Sequence, residues 1–374
     1  MREAERRAWA VVKRAYEERA VAPVPRHRNH VLIPALIAAT AIVIGAIATP
    51  PGHAVFQKVR EVVGVQHADP ALFSLPSEGR LLVVSAEHGG VWLIHDNGLK
   101  RRIGSYDDAQ WSPHGRFVVA TTKNALVTLD LAQDAVRWTL PRRGVYWPRW
   151  EGTRLDTRIA YMTPGGLRVV AGDGTSDRLL DKYVQDVPPA WAPFRLHTVA
   201  YFSGGTVVLR NADTGELVWR APITVTPSNL VWSDDGRYLA AVSSHRIVVL
   251  GSNGTPVRTV TTLSEGFTAA AFQPGSHRLA ISLRTATGSE VRVVDVDRPG
   301  RGQLLFAGPG AFGSIVWSPD GRWLLVGWPT ADQWLFLRGS RVRAVGNIRE
   351  QFPRRDHQGP LLQFDNRWCC GSSL

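Results

Sequence analysis

The sequence predicts an all-β protein: a β-propeller of four-stranded antiparallel blades, seven by our count with six or eight open, preceded by one transmembrane helix. Three observations carry this reading. An aromatic followed by a tight-turn motif recurs with a period near forty between residues 111 and 317. Each copy is followed by short apolar runs separated by turn residues, the pattern of strands joined by hairpins. Val31 to Thr49 is a run of 19 residues without a charge, which as a helix nearly matches a hydrocarbon core about 30 Å thick.

Residues 1–30 read as a basic cytoplasmic tail. They carry eight Lys or Arg against four Glu. Residues 2–20 are rich in Ala, Glu and Arg and should be helical, with Trp9, Val12 and Tyr16 on one face. Pro23 and Pro25 end that helix. Three roles stand open for the tail. It can set topology alone, lie on anionic lipid with Trp9 in the headgroup layer, or dock a cytoplasmic protein.

Residues 31–49 are read as a signal-anchor helix, with Pro34 in its first turn. Ala46-Ile47-Ala48 has the small-x-small form of a signal-peptide cleavage site. Against cleavage, about thirty residues precede the run, and Pro50 and Pro51 follow it. The near outer flank holds only Lys58 and Arg60 beside Glu61, so the positive-inside rule puts the N-terminus in the cytoplasm and the bulk outside. The expected location is the cell membrane, single-pass, with an extracytoplasmic C-terminal domain. Residues 50–70 form a linker or stalk, in which 54–65 has an amphipathic helical pattern.

Residues 71–347 hold the repeats. The clearest copies are Trp111-Ser-Pro-His-Gly-Arg116, Trp232-Ser-Asp-Asp-Gly-Arg237 and Trp317-Ser-Pro-Asp-Gly-Arg322; weaker ones begin at Trp150, Trp191 and Phe272. The spacings from 111 onward are 39, 41, 41, 40 and 45 residues, a blade period and too short for a βαβ crossover. Turns such as Asn97-Gly98, Asp173-Gly174 and Asn253-Gly254 have hairpin chemistry, since Asn, Asp and Gly tolerate positive φ. Gly79-Arg80 followed by an apolar run adds a first unit, with Phe73 standing where the Trp should be. The seven units lie near 71–104, 105–141, 142–181, 182–221, 222–262, 263–308 and 309–347. The Trp residues are expected to fill the space between sheets, with stacking on a sugar or base as the rival role. Residues 348–374 form a C-terminal extension containing the adjacent pair Cys369 and Cys370. That pair can form a vicinal disulfide, an intermolecular bond or neither, and it closes no loop long enough to staple a fold.

The WSPDGR-type repeats resemble the WD40-like propeller repeats of the TolB family and its bacterial relatives, over about residues 71–347. They depart from true WD40 repeats, because no Gly-His and Trp-Asp pair recurs. The whole arrangement also resembles actinobacterial membrane-anchored propeller proteins with a short basic tail, a single span and a C-terminal Trp-Cys-Cys, here Trp368-Cys369-Cys370. The resemblance implies a propeller. It implies no activity, since propellers host scaffolds, binders and enzymes alike.

No residue stands out as catalytic, cofactor-binding or metal-ligating. The chain lacks HExxH, a Walker A sequence and a GxSxG elbow. The eleven His residues are scattered. Asp234, Asp235 and Asp320 belong to the turn motif, where Asp caps its own backbone. The net charge is +12, of which the tail supplies four units. Spread over a large domain, the rest is a solvated surface or a means of holding anionic wall polymers or lipid headgroups. No basic run interleaved with aromatics points to nucleic acid. No cofactor is expected. The leading function is a binding or interaction module for a protein or cell-envelope ligand. The alternatives are a transmembrane sensor or anti-sigma-like regulator using residues 1–30, and an envelope carbohydrate-acting enzyme with a site in the channel.

Overall fold

A computed structural model describes residues 74–370, apart from 86–89, 154, 194, 263–265, 299, 301 and 353–363. The tail, the apolar run Val31–Thr49 and the linker lie outside the described residues. Among the described residues no helix is long and apolar enough to cross a membrane.

The described strands form seven four-stranded antiparallel sheets. Blade 1 contains β1 (Arg80–Ser85), β2 (Gly90–Ile94) and β3 (Lys100–Gly104). Blade 2 is β4 (Asp108–Trp111), β5 (Phe117–Thr122), β6 (Ala125–Asp130) and β7 (Ala135–Pro141). Blade 3 is β8 (Tyr146–Trp150), β9 (Arg158–Thr163), β10 (Gly166–Ala171) and β11 (Arg178–Asp181). Blade 4 is β12 (Ala190–Trp191), β13 (Thr198–Ser203), β14 (Thr206–Asn211) and β15 (Leu217–Pro222). Blade 5 is β16 (Asn229–Trp232), β17 (Tyr238–Val242), β18 (Arg246–Gly251) and β19 (Pro256–Thr261). Blade 6 is β20 (Gly266–Phe272), β21 (Arg278–Thr285), β22 (Gly288–Asp295) and β23 (Gln303–Gly308). Blade 7 is β24 (Ile315–Trp317), β25 (Leu324–Trp328), β26 (Gln333–Arg338) and β27 (Arg341–Gly346). A short helix α1 (Ile348–Gln351) follows, and β28 (Phe364–Cys369) completes blade 1.

The innermost strands neighbour one another in the order β28, β4, β8, β12, β16, β20, β24 and back to β28, so the ring is closed. Closure corrects two expectations. The ring does not end at 347, because β28 pairs with β1 along Arg80 to Ser85. Phe73 lies outside the described residues, and the inner aromatic of blade 1 is Trp368, from the other end of the chain. The motif of this blade is thus split, with Trp368-Cys369-Cys370 supplying its first half and Gly79-Arg80 its second.

The strand sequences show why a blade cannot stand alone. β17 (YLAAV) and β25 (LLVGW) are buried at every position, because both faces of a blade are covered by neighbours. Side chains alternate between the two seams. Leu239 and Ala241 pack against blade 4, whereas Tyr238, Ala240 and Val242 pack against blade 6. Seven apolar clusters fill the seven seams. The outer strands are different: β7 and β19 are mostly exposed. Pro141, Pro222 and Pro256 stand on these outer edge strands, where a missing N–H breaks no ladder and discourages pairing with another chain.

The turn motif works as expected and also reaches across seams. Ser112, Ser233 and Ser318 each accept a hydrogen bond at Oγ from the N–H five residues on, at 2.9–3.0 Å. Asp235 and Asp320 accept from the N–H two residues on. Gly236 and Gly321 have φ near +67° and +66°, and a Cβ there would lie 2.8 Å from the carbonyl oxygen of Pro193 or Pro274 in the preceding blade. Glycine is needed at these positions for backbone conformation and for room. The inner Trp side chains act as inter-blade ties. Nε1 of Trp111, Trp191, Trp232 and Trp317 donates to the carbonyl of Arg367, Arg149, Ala190 and Ala271, in each case the residue before the preceding blade's inner aromatic. Their structural role is therefore packing plus one directed bond.

Candidate functional site

Two kinds of polar site emerge from this frame, one at the seams and one on the innermost strands. The seam sites at Glu151–His197 and Asp235–His277 sit at the motif-turn end. In blade 3, Glu151 stands where other blades have Ser, and its Oε2 accepts from the Arg158 N–H at 3.0 Å. Its second oxygen accepts from the backbone N–H of His197 in blade 4, and His197 Nδ1 lies 3.0 Å from Oε2. One carboxylate thus caps its own turn and the next, where Ala192 offers no hydroxyl. Arg158 ties Asp156 to Asp213, and Arg178 also reaches Asp213. The carboxylates around His197 are thereby bridged by guanidinium groups. Among the described residues no group of three or more His, Cys, Asp or Glu is arranged to hold a metal ion.

Blades 5 and 6 repeat the device. His277 precedes β21 as His197 precedes β13. Its Nε2 lies 2.8 Å from Asp235 of blade 5, and its Nδ1 hydrogen-bonds Asp297 of its own blade. Tyr238 donates its hydroxyl to Asp297 and meets the imidazole edge-to-face at 4.8 Å. The bonds to Asp235 and then to Asp297 raise the His277 pKa against partial desolvation. Burial opposes ionisation of Asp235, yet hydrogen bonds from Ser233, His277 and the Arg237 N–H hold its carboxyl down at about 2. Between blades 2 and 3, Asp177 receives Arg142, Arg168 and the Tyr161 hydroxyl. Burial, then the bond to Asp177, pushes the Tyr161 phenol up to about 12. The sequence places His277 only in an inter-strand turn and gives no role to Glu151 or His197. The available signal is a Glu at 151, where Ser recurs in other copies, beside an Ala at 192.

The innermost strands carry the other site. Asp108 on β4 faces Arg367 of β28 at 2.9 Å and Arg149 of β8 at 3.7 Å. Gln110 accepts the Trp150 N–H at 2.8 Å. The residues before the inner aromatics of blades 4 to 7 are Ala190, Val231, Ala271 and Val316, so among the described innermost strands the charged side chains stand on blades 1 to 3. In that sector β8 is irregular. Its register shifts between Tyr146 and Arg149, and Trp147 has φ +49°. A bulky residue in the left-handed region is strained, and such strain concentrates at functional sites. Trp147 leans on the seam between blades 3 and 4 and contacts Tyr146 at 5.1 Å. The cavity beside Gly313, Trp328, Asp332 and Arg349 holds only about 10 Å³, room for one water.

These features define a closed seven-bladed β-propeller. No family model and no curated protein matches the chain. Among solved structures it is similar to a chain described as Kuenenia stuttgartiensis Hydrazine Synthase. That likeness has 12% identity and a TM-score of 0.48, and covers 62% of this chain and 76% of that one.

Proposed function

We propose that the protein is a membrane-anchored, extracytoplasmic β-propeller that acts as a binding module for a protein or cell-envelope ligand. The observation that carries this is the division of its polar groups. At the seams, His197, His277, Glu151, Asp177, Asp213 and Asp297 are joined across or along blades and stiffen the ring. The innermost strands of blades 1 to 3 and the loops around them present mixed charge and aromatic surface on that stiff frame. A rigid scaffold with chemistry on loops and inner edges is suited to recognition. The uncharged run 31–49 and the basic tail support anchoring with the N-terminus inside. The test is co-purification from gently solubilised membranes, comparing the full chain with a deletion of residues 1–30. A partner retained by both chains supports recognition by the propeller. A partner lost with the tail would move the function to the cytoplasmic side and favour signalling.

A further inference from the structure

The two ends of the ring differ in how their charges are arranged. Chain direction assigns each loop to an end. The motif turns and the connections from the third to the fourth strand share one end, as the inter-blade contacts at His197–Glu151, Arg158–Asp213 and His277–Asp235 require. Cations at that end are set among many exposed carboxylates, Asp134, Asp156, Asp213, Asp234, Asp235 and Asp297 among them: Arg101 pairs with Asp134, Arg116 with Asp130, Arg178 with Asp213 and Arg322 with Asp320, whereas the exposed Arg195, Arg237, Arg338 and Arg341 pair with no described carboxylate. At the opposite end Lys123, Arg143, Lys182, Arg246 and Arg284 are exposed, and none pairs with a described carboxylate. The exposed carboxylates among the described residues there are Asp107, Asp186 and Glu350.

On blades 2 and 3 this surplus meets aromatic surface. Gly144, beside Arg143, approaches so closely that a Cβ would lie 2.9 Å from Pro164, and a Cβ on Gly166 would lie 2.7 Å from Cα of Lys182. These contacts join Arg143, the 164–166 turn and Lys182 into one continuous surface. Tyr183 is 71% exposed, with Lys182 Nζ 4.7 Å from its ring centroid. Trp147 and Val184 pack against the same apolar cluster between blades 3 and 4.

We propose that this surface, formed by Arg143, Trp147, Lys182 and Tyr183 with Lys123 at its margin, binds an acidic polysaccharide. The cations answer spaced carboxylate or phosphate groups. The exposed ring of Tyr183 answers a sugar ring, which stacks on aromatics through its C–H face, and the half-buried Trp147 borders it. An extended polymer can cross the blade-end surface without a deep cavity, and cations that pair with no described carboxylate give up no such ion pair on binding. This identifies a ligand class for the binding module proposed above and rests on that reading only for the ligand's source in the envelope.

The test is equilibrium binding of the detergent-solubilised full chain to polygalacturonate, with dextran as neutral sugar and polyglutamate as charge without sugar. The expected result is binding to polygalacturonate that weakens with salt. Arg143→Glu with Lys182→Glu should reduce it by about tenfold or more, and Tyr183→Ala by about threefold or more. Arg338→Glu with Arg341→Glu, at the other end, should leave it unchanged. Failure to bind polygalacturonate, equal binding of dextran, equal binding of polyglutamate, or equal loss in the Arg338/Arg341 variant would each overturn the proposal. Circular dichroism confirms that the variants fold. Membrane location is measured separately, so a wrong ligand class and a wrong location give different results.

Discussion

Single residues hold this ring through short, directed contacts whose worth depends on where the charge sits. His277 is the clearest case. It is flanked by Asp235 from blade 5 and Asp297 from blade 6, with Tyr238 and Arg237 beside them. Its pKa is raised on folding, so the protonated bridge stabilises fully below the unfolded value of about 6.5 and is lost as pH rises through the folded value. Asp235 is held at about 2, so its share is present above its unfolded value and is lost as pH falls through about 2. Both aspartates are partly exposed, so solvent screening keeps the bridge modest. His277→Gln should cost about 0.5–1 kcal/mol near pH 5 and clearly less near pH 9. Urea midpoints at the two pH values measure the difference. The Asp half of this site was legible as a turn cap; the His half was not, because Asp235 and His277 are 42 residues apart and meet only when the ring closes.

At the scale of elements, the blades are joined mainly by apolar seams. A buried Leu or Val side chain contributes about 1.5–3 kcal/mol, against about 0–1 kcal/mol for an exposed ion pair. Each seam contains several such side chains, so packing outweighs charge. Most of the blades were readable as strands because the motif repeats locally. The closing strand was not. β28 is separated from β1 by the whole ring, and Trp368 sits 51 residues after Trp317, outside the period. The cue was the Trp-Cys-Cys itself, a half-motif whose missing Gly-Arg lies at residues 79 and 80. Cys369 and Cys370 are joined by a disulfide at this joint, and a Cβ at Gly115 of blade 2 would lie 2.5 Å from Cys370 Sγ. Trp368 is buried between Phe336 and the blade 1 strands. Trp368→Ala should cost about 3–5 kcal/mol, read from denaturant unfolding. Removal of residues 364–374 should expose the β1 edge and produce concentration-dependent association, read by sedimentation.

The whole molecule combines a ring with its two ends sealed together and, by our proposal, a tether to a membrane. A single strand from the C-terminus closes a sheet begun near residue 80 and so joins the two ends of the ring. Its site was hardly legible in sequence. Lys123, Arg143, Trp147 and Lys182 are scattered over two repeats and converge only through strand direction, and Trp147 carries no motif. The anchor stands on composition: an uncharged run, a basic inner flank and a nearly neutral outer flank. Whether the propeller is tethered outside the membrane is decided by tagging both ends of the full chain in a bacterial host and treating intact spheroplasts with protease. The C-terminal tag should be removed while the N-terminal tag stays protected and membrane-bound until lysis. A protected C-terminal tag, a chain released from the membrane, or a mature chain beginning near Thr49 would contradict the tethered propeller.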